Sequence, residues 1–421
     1  FRENELFQAI PKKTLAIPPY TASILYDKPD IILKSSEKWV NEKKKKLSNL
    51  NFLKKNKISN FRSGNKKIKV AYFSADFNNH AVGYLIAKNF ELHDRNKFEI
   101  NGFYFGNTTN DETHKRIQKS FDRYFDVSLT SDEKISELSN DLEIDIAVDL
   151  MGHTRSSRFE IFIRGCAPIQ INFLGYPGTR GTKLMDYIIA DKTLIPEKMK
   201  KFYSEKIIYL PNSYQPNEFE KKISNKKLSK RDFGLPDDKF IFCCFNTHQK
   251  ITPSIFKYWC EILKKSPESV LWLLENNEFS KKNIFQEATK RGINNKRILF
   301  AKKMKIEEHL ARLKFADLFL DTFPYTAHTT CSDALRVGTT STDPGDGNLY
   351  VENKLQVNGA AGTVGIAEVQ CENNTATGGF AVIEAAGGSG ETIRIWHDGD
   401  VRRMATKLGC APSPRRPRQR R

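Results

Sequence analysis

No stretch of the 421 residues approaches the roughly 20 consecutive apolar positions that a spanning helix needs, so no membrane segment is expected. The opening Phe1-Arg2-Glu3-Asn4-Glu5 lacks the basic and apolar regions of a secretory signal, and the expected location is cytoplasmic. Seven cysteines, at 166, 243, 244, 260, 331, 371 and 410, show neither paired spacing nor a histidine at zinc-ligand distance. Reduced, buried thiols follow. Walker loops, H-E-x-x-H zinc motifs, dinucleotide glycine fingerprints and paired carboxylates are also missing, so the sequence predicts neither a metal nor a bound cofactor.

Acidic residues are in deficit, 50 against 68 basic ones, for a net charge of +18. Such an excess raises the question of nucleic acid, as does the ending Pro414-Arg415-Arg416-Pro417-Arg418-Gln419-Arg420-Arg421. Yet residues 1–338 hold 58 of the basic and 41 of the acidic residues, spread over segments such as Lys43-Lys44-Lys45-Lys46. A lysine-rich surface accounts for the excess, and nucleic acid is not the expected partner. A composition break falls near Gly338: 12 of 24 glycines lie after it, and 28 of 29 phenylalanines before it.

Before the break, short apolar runs alternate with amphipathic or polar stretches, the pattern of buried parallel strands joined by crossover helices. The first set is 69–74 (KVAYFS), 99–105, 145–150, 169–174, 186–190 and 206–210; the second is 240–245 (FIFCCF), 270–274, 297–300 and 318–321. Helices are expected over 253–265 and 306–316, and a long charged one near 35–47 after a Pro18-Pro19 break. The sequence therefore predicts an α/β chain of two Rossmann-like lobes. Its parts are a helical lead-in over 1–60, a first lobe over 61–215, a second over 216–338 with a hinge at 216–230, and a Gly-rich, β-prone or disordered segment over 339–421.

Ligands in such folds sit beyond the carboxyl ends of the strands. The run 318–338 (LFLDTFPYTAHTTCSDALRVG) reads as strand, loop and a helix starting near His328 or Thr329. Helix-start amides with the Thr329 and Thr330 hydroxyls make an anion site, although the same residues suit an ordinary cap with a packed histidine. Asp333, one turn on, can accept from ribose hydroxyls or face solvent. Lys250 follows a buried strand and offers a point charge to a diphosphate. In the first lobe His80 ends a polar loop, placed to act as a base or to orient a substrate. The run 174–181 (LGYPGTRG) reads as a rigid turn where backbone can approach a ligand closely.

These stretches together, 74–83 (SADFNNHAVG), 167–178 (APIQINFLGYPG), 210–216 (LPNSYQP), 243–253 (CCFNTHQKITP), 307–312 (EEHLAR) and 328–335 (HTTCSDAL), resemble the catalytic region of the O-linked N-acetylglucosamine transferase family, including its bacterial members. The resemblance covers roughly residues 15–338. It implies a GT-B fold and inverting, metal-independent transfer from a UDP-sugar donor to Ser or Thr hydroxyls of a protein or peptide acceptor. By the same resemblance Lys250 steadies the leaving diphosphate, His328, Thr329 and Thr330 line its phosphates, and Asp333 holds the ribose. His309 stacks near the uracil with Arg312 beside it, and His80 faces sugar and acceptor. Thr247 and Ile306 depart from the glutamine and lysine of animal members. Ending the match at Gly338 implies an incomplete second lobe followed by unrelated sequence. Other readings are a UDP-glucose-dependent transferase on another acceptor, and an inactive fragment acting as a binding module.

Overall fold

A computed structural model describes residues 17–47, 66–107, 109–218 and 221–338, together with the backbone of three strands between 366 and 395. Expectations for 1–16, 48–60, the basic ending, Cys371 and Cys410 lie outside the described residues. The chain divides into two compact units, one ending at Asp343 and the other beginning at Pro344.

Two helices lead in, α1 (Pro19–Leu25) and α2 (Pro29–Lys46), each with proline in its first turn, where a missing N–H leaves no bond unmade. The charged helix therefore starts at Pro29, earlier than its charge pattern suggested. Lys43, Lys44, Lys45 and Lys46 fill its last turn and complement the helix dipole.

The first lobe follows as β1 (Ile68–Ser74), α3 (Ala81–Leu92), β2 (Phe98–Tyr104), α4 (Glu112–Lys119), β3 (Arg123–Asp126), α5 (Asp132–Asp141), β4 (Ile146–Asp149), α6 (Glu160–Arg164), β5 (Ile169–Asn172), β6 (Tyr187–Ala190) and β7 (Lys206–Tyr209). All seven strands are parallel, in the order β3-β2-β1-β4-β5-β6-β7. Ala71 and Phe73 bury into one face with Phe103 and Ala147, while Val70 and Tyr72 bury into the other with Ile100 and Val148. Covering both faces is why strands such as β1 read as near-continuous apolar runs. The unpredicted β3 is a four-residue edge strand, Arg-Tyr-Phe-Asp, whose charged ends face solvent and interrupt any apolar signal.

The second lobe comprises β8 (Phe240–Cys244), α7 (Pro253–Lys265), β9 (Ser269–Leu274), α8 (Glu278–Lys290), β10 (Ile298–Ala301), α9 (Ile306–Leu313), β11 (Leu318–Phe319) and α10 (Thr329–Gly338). Its parallel sheet runs β10-β9-β8-β11. Phe242, Cys244, Leu271 and Leu273 pack on one side, and Ile241, Cys243, Val270 and Trp272 on the other. Cys166, Cys243, Cys244 and Cys260 are buried thiols outside any disulfide, as expected, whereas Cys331 on α10 is half-buried. Beyond Pro344, β12 (Ile366–Gln370), β13 (Ala381–Ala385) and β14 (Thr392–Ile395) form an antiparallel sheet in that order. No described helix is long and apolar enough to cross a membrane.

Thr252 fixes the start of α7. Its hydroxyl accepts from the Ile255 amide at 3.3 Å and donates to the Phe323 carbonyl at 3.1 Å, which ties α7 to the loop after β11. Thr252→Ala is expected to lower stability by about 1 kcal/mol, read as a lower urea midpoint at unchanged slope.

Candidate functional site

Each sheet has one point where successive connections diverge, β1/β4 in the first and β8/β11 in the second, and folds of this kind bind ligands at the loops leaving those strands. His80 follows β1. Lys250 and His328 follow β8 and β11, so two residues far apart in sequence meet at the second switch point. Asn246, buried after β8, donates to the Thr322 hydroxyl at 2.9 Å, and Thr322 donates to the Tyr325 carbonyl at 2.8 Å. These bonds link the two loops.

Lys250 ends the short 3-10 turn His248–Lys250. Its ammonium donates to the Thr326 carbonyl at 3.0 Å and stands 4.6 Å from the centre of the Tyr325 ring. Burial pulls its pKa down to about 8, against the opposing pull of Asp321 and Cys244. His328 lies over the same tyrosine, ring centres 5.2 Å apart. Burial and then the Lys250 charge lower its pKa to about 4, so the imidazole is neutral at physiological pH. Its φ of 48° falls in the left-handed region, uncommon for a side chain with a Cβ, and turns the loop sharply into α10. Thr329 and Thr330 open that helix, whose first turn carries no acidic residue.

Arg312 is 1% exposed and lies beside His309. It donates to the Lys302 carbonyl and to His309 Nδ1, each at 2.6 Å, and its guanidinium lies 4.6 Å from the Phe245 ring. His309 is thereby fixed with its proton on Nε2. Burial first, then Arg312 and Lys221, lower its pKa to about 4. Arg312 thus serves as the support of His309.

Asp333, predicted to accept from ribose, has Oδ1 engaged by the Lys221 ammonium at 2.5 Å, both groups being largely buried. One residue earlier, Ser332 accepts from Gln215 at 2.8 Å. Gln215 and Lys221 thus bring the interlobe segment onto α10, and neither was among the predicted site residues. Gln215 lay in a motif that had no role assigned to it; Lys221 is one of five lysines between 216 and 230, with nothing in the pattern to distinguish it.

The contacts of His80 lie within its own lobe. It caps α3, Nδ1 accepting from the Val82 amide at 3.3 Å while lying 3.4 Å from Asp76 Oδ2. The two partners ask for opposite protonation of the same nitrogen. Burial raises the Asp76 pKa, and His80 opposes that rise. Gly83 lets α3 close on this loop, since a Cβ there would meet the Asn78 carbonyl at 2.3 Å. Tyr84 on α3 is pushed up to about 12 by burial, with further contributions from Asp111 and from Glu307 and Asp333 of the second lobe. In the 174–181 run the close backbone approach is made to protein: Gly152, at φ 60°, and Gly178 both crowd the fully buried Tyr176, and Gly181 touches Ser36 and Glu37 of α2.

Residues 34–227 and 217–346 match glycosyl transferase family 41, so the match passes Gly338. Over 280 residues the chain is 36% identical to an Arabidopsis thaliana protein named probable UDP-N-acetylglucosamine–peptide N-acetylglucosaminyltransferase SEC, covering 65% of this chain and 29% of that one. It is 25% identical over 388 residues to the Caenorhabditis elegans UDP-N-acetylglucosamine–peptide N-acetylglucosaminyltransferase, covering 65% and 34%. A solved structure of a Thermobaculum terrenum O-GlcNAc transferase mutant superposes with a TM-score of 0.66 at 25% identity, covering 74% of this chain and 58% of that one. The chain spans roughly a third of the length of the two curated relatives. The sequence match is continuous across both lobes, and the same parallel-sheet architecture underlies it. The chain belongs to glycosyl transferase family 41.

Proposed function

We propose that the chain carries the donor grip of a glycosyltransferase that moves N-acetylglucosamine from a UDP-sugar to Ser or Thr hydroxyls of a protein, with inversion and without a metal ion. The observation that carries the reading is the convergence of Lys250 and His328 on Tyr325, directly before Thr329 and Thr330 open α10. The names of the curated relatives supply the donor and the peptide acceptor.

As the bond from the sugar to the diphosphate breaks, negative charge accumulates on the leaving oxygen. Lys250 supplies a full positive charge there, and the Thr329 and Thr330 hydroxyls and the positive end of α10 add preset dipoles, which favour the transition state over the ground state. Neutral His328 offers a ring N–H to the same anion without competing for a proton. His309, with Nε2 protonated by virtue of Arg312, presents a ring face and one donor to the base. Asp333 accepts from the ribose in exchange for part of its contact with Lys221, and His80 faces the sugar and the acceptor from the first lobe.

Calorimetric titration with UDP tests the reading. The chain is expected to bind UDP, and Lys250→Ala to bind it far more weakly. Absence of binding by the unaltered chain, or equal affinity in the variant, would overturn it.

A further inference from the structure

The lead-in helices reach the grip itself. Helix α2 is fixed to the first lobe: it packs on the turn Glu197–Phe202, Lys44 donates to the Thr182 hydroxyl at 3.2 Å, Lys43 pairs with Glu160 at 3.6 Å, and Gly181 lies against the Ser36–Glu37 backbone. Helix α1, joined to it by three residues, packs instead on the second-lobe turn His248–Lys250. The side chain at this junction is Tyr20. Its ring meets Tyr325 edge-on, centres 5.4 Å apart and planes at 68°, and lies 6.5 Å from Tyr176 of the first lobe. Burial raises the pKa of its hydroxyl, and the side chain of Gln249, the neighbour of Lys250, opposes that rise. Tyr176 in turn donates to the Pro19 carbonyl at 3.4 Å. Tyr325 therefore has Tyr20 on one side and carries Lys250 and His328 on the others.

We propose that Tyr20 is a positioning residue that braces Tyr325 from the lead-in helix, and so holds Lys250 and His328 in the arrangement that grips a diphosphate. This deepens the donor-site reading and rests on it for the ligand. An edge-on aromatic pair fixes the orientation of Tyr325 in a way an aliphatic neighbour does not. Because α2 is anchored on the first lobe, the brace also sets the second-lobe loop relative to the first.

Two measurements test it. The first needs no ligand: the pH dependence of acylation of Lys250, followed by peptide mass spectrometry. Asp321, Cys244, His328 and the Tyr325 phenol are titratable groups around this ammonium. In the unaltered chain the midpoint is expected near about 8. Tyr20→Ala, by releasing Tyr325, is expected to raise it by at least about one unit as water reaches the ammonium, and Tyr20→Phe to leave it in place. The second is UDP affinity, expected to fall roughly tenfold in Tyr20→Ala and less than about threefold in Tyr20→Phe. Should the alanine variant not fold, Tyr20→Leu keeps the apolar volume without a ring and takes its place.

An unchanged Lys250 midpoint in the alanine or leucine variant overturns the proposal. So does a phenylalanine variant that behaves as they do. If the unaltered chain fails to bind UDP while the midpoint still moves, the brace stands and the donor assignment falls.

Discussion

UDP affinity is expected to fall about tenfold for each pH unit above about 8, and Lys250→Ala to abolish that slope. The cause is the depressed pKa of Lys250, held near 8 by burial. Of the two protonation states of Lys250 only the ammonium attracts the diphosphate, so once it deprotonates each further unit removes nine-tenths of the tightly binding protein. The phosphate groups are already ionised there, their second ionisation lying near about 6. His328 and His309, lowered to about 4, are neutral throughout and add nothing to the slope. At neutral pH, Lys250→Ala is expected to weaken binding roughly 30-fold to 1000-fold, the range for truncating one member of a desolvated charge pair. Calorimetry of both proteins between pH 7 and 9.5 reads slope and offset together. A pH-independent affinity in the unaltered chain would remove Lys250 from the grip.

The sign for stability is opposite. In the unfolded chain Lys250 titrates at its ordinary value of 10.5, so between about 8 and 10.5 the unfolded state holds more protons and stability rises with pH. Below about 8 the folded chain carries the whole cost of a desolvated ammonium. A bound diphosphate offsets that cost, which is the usual relation between a strained site and its ligand.

Periodicity made the strands legible because both sheets are covered on two faces, so the interiors of runs such as 69–74 and 240–245 carry no charged residue. It failed at β3, where an edge strand pairs on one side alone and tolerates Arg123 and Asp126. The last strand was shorter than its apolar run: β11 ends at Phe319, and the chain then turns through Thr322 toward Tyr325. Lys250, His328, Thr329 and Thr330 were readable as the residues that leave strand ends or open a helix. Arg312 was readable as a family residue, but its direction was not, since only packing shows its guanidinium enclosed between Lys302, His309 and Phe245. Tyr20, Gln215 and Lys221 lay beyond reach for a different reason. Each acts on an element remote in sequence, and no local pattern records which distant loop a side chain will meet.

Breaking the buried pair Asp149–Arg180 is expected to destabilise the chain by about 3–5 kcal/mol, the largest loss foreseen for any single side chain. The two groups are essentially unexposed and 3.3 Å apart at the carboxyl end of β4, with the guanidinium 3.8 Å from the centre of the Phe159 ring. Burial raises the pKa of Asp149 and lowers that of Arg180 despite their attraction, so desolvation outweighs pairing on both sides. Each charge is tolerable only because the other is present, with Glu205 as a second, weaker anion for Arg180. Asp149→Asn retains the acceptor for the Met151 and Gly152 amides, bonds of 2.9 and 3.3 Å, and removes the charge alone. Arg180→Met removes the other charge at similar length. Combined, they remove both members of the pair and leave only the weaker Glu205 interaction unmet, so the loss should be smaller than the sum of the single losses by more than about 1 kcal/mol. Urea denaturation of the four proteins measures this, and strict additivity would show that the pair is not coupled. The loops this pair holds, 150–153 and 175–181, are those that enclose Tyr176, against which Tyr20 leans. Damage to the pair should therefore reach the donor grip through the lead-in helix, appearing as weakened UDP binding at temperatures where the fold itself survives.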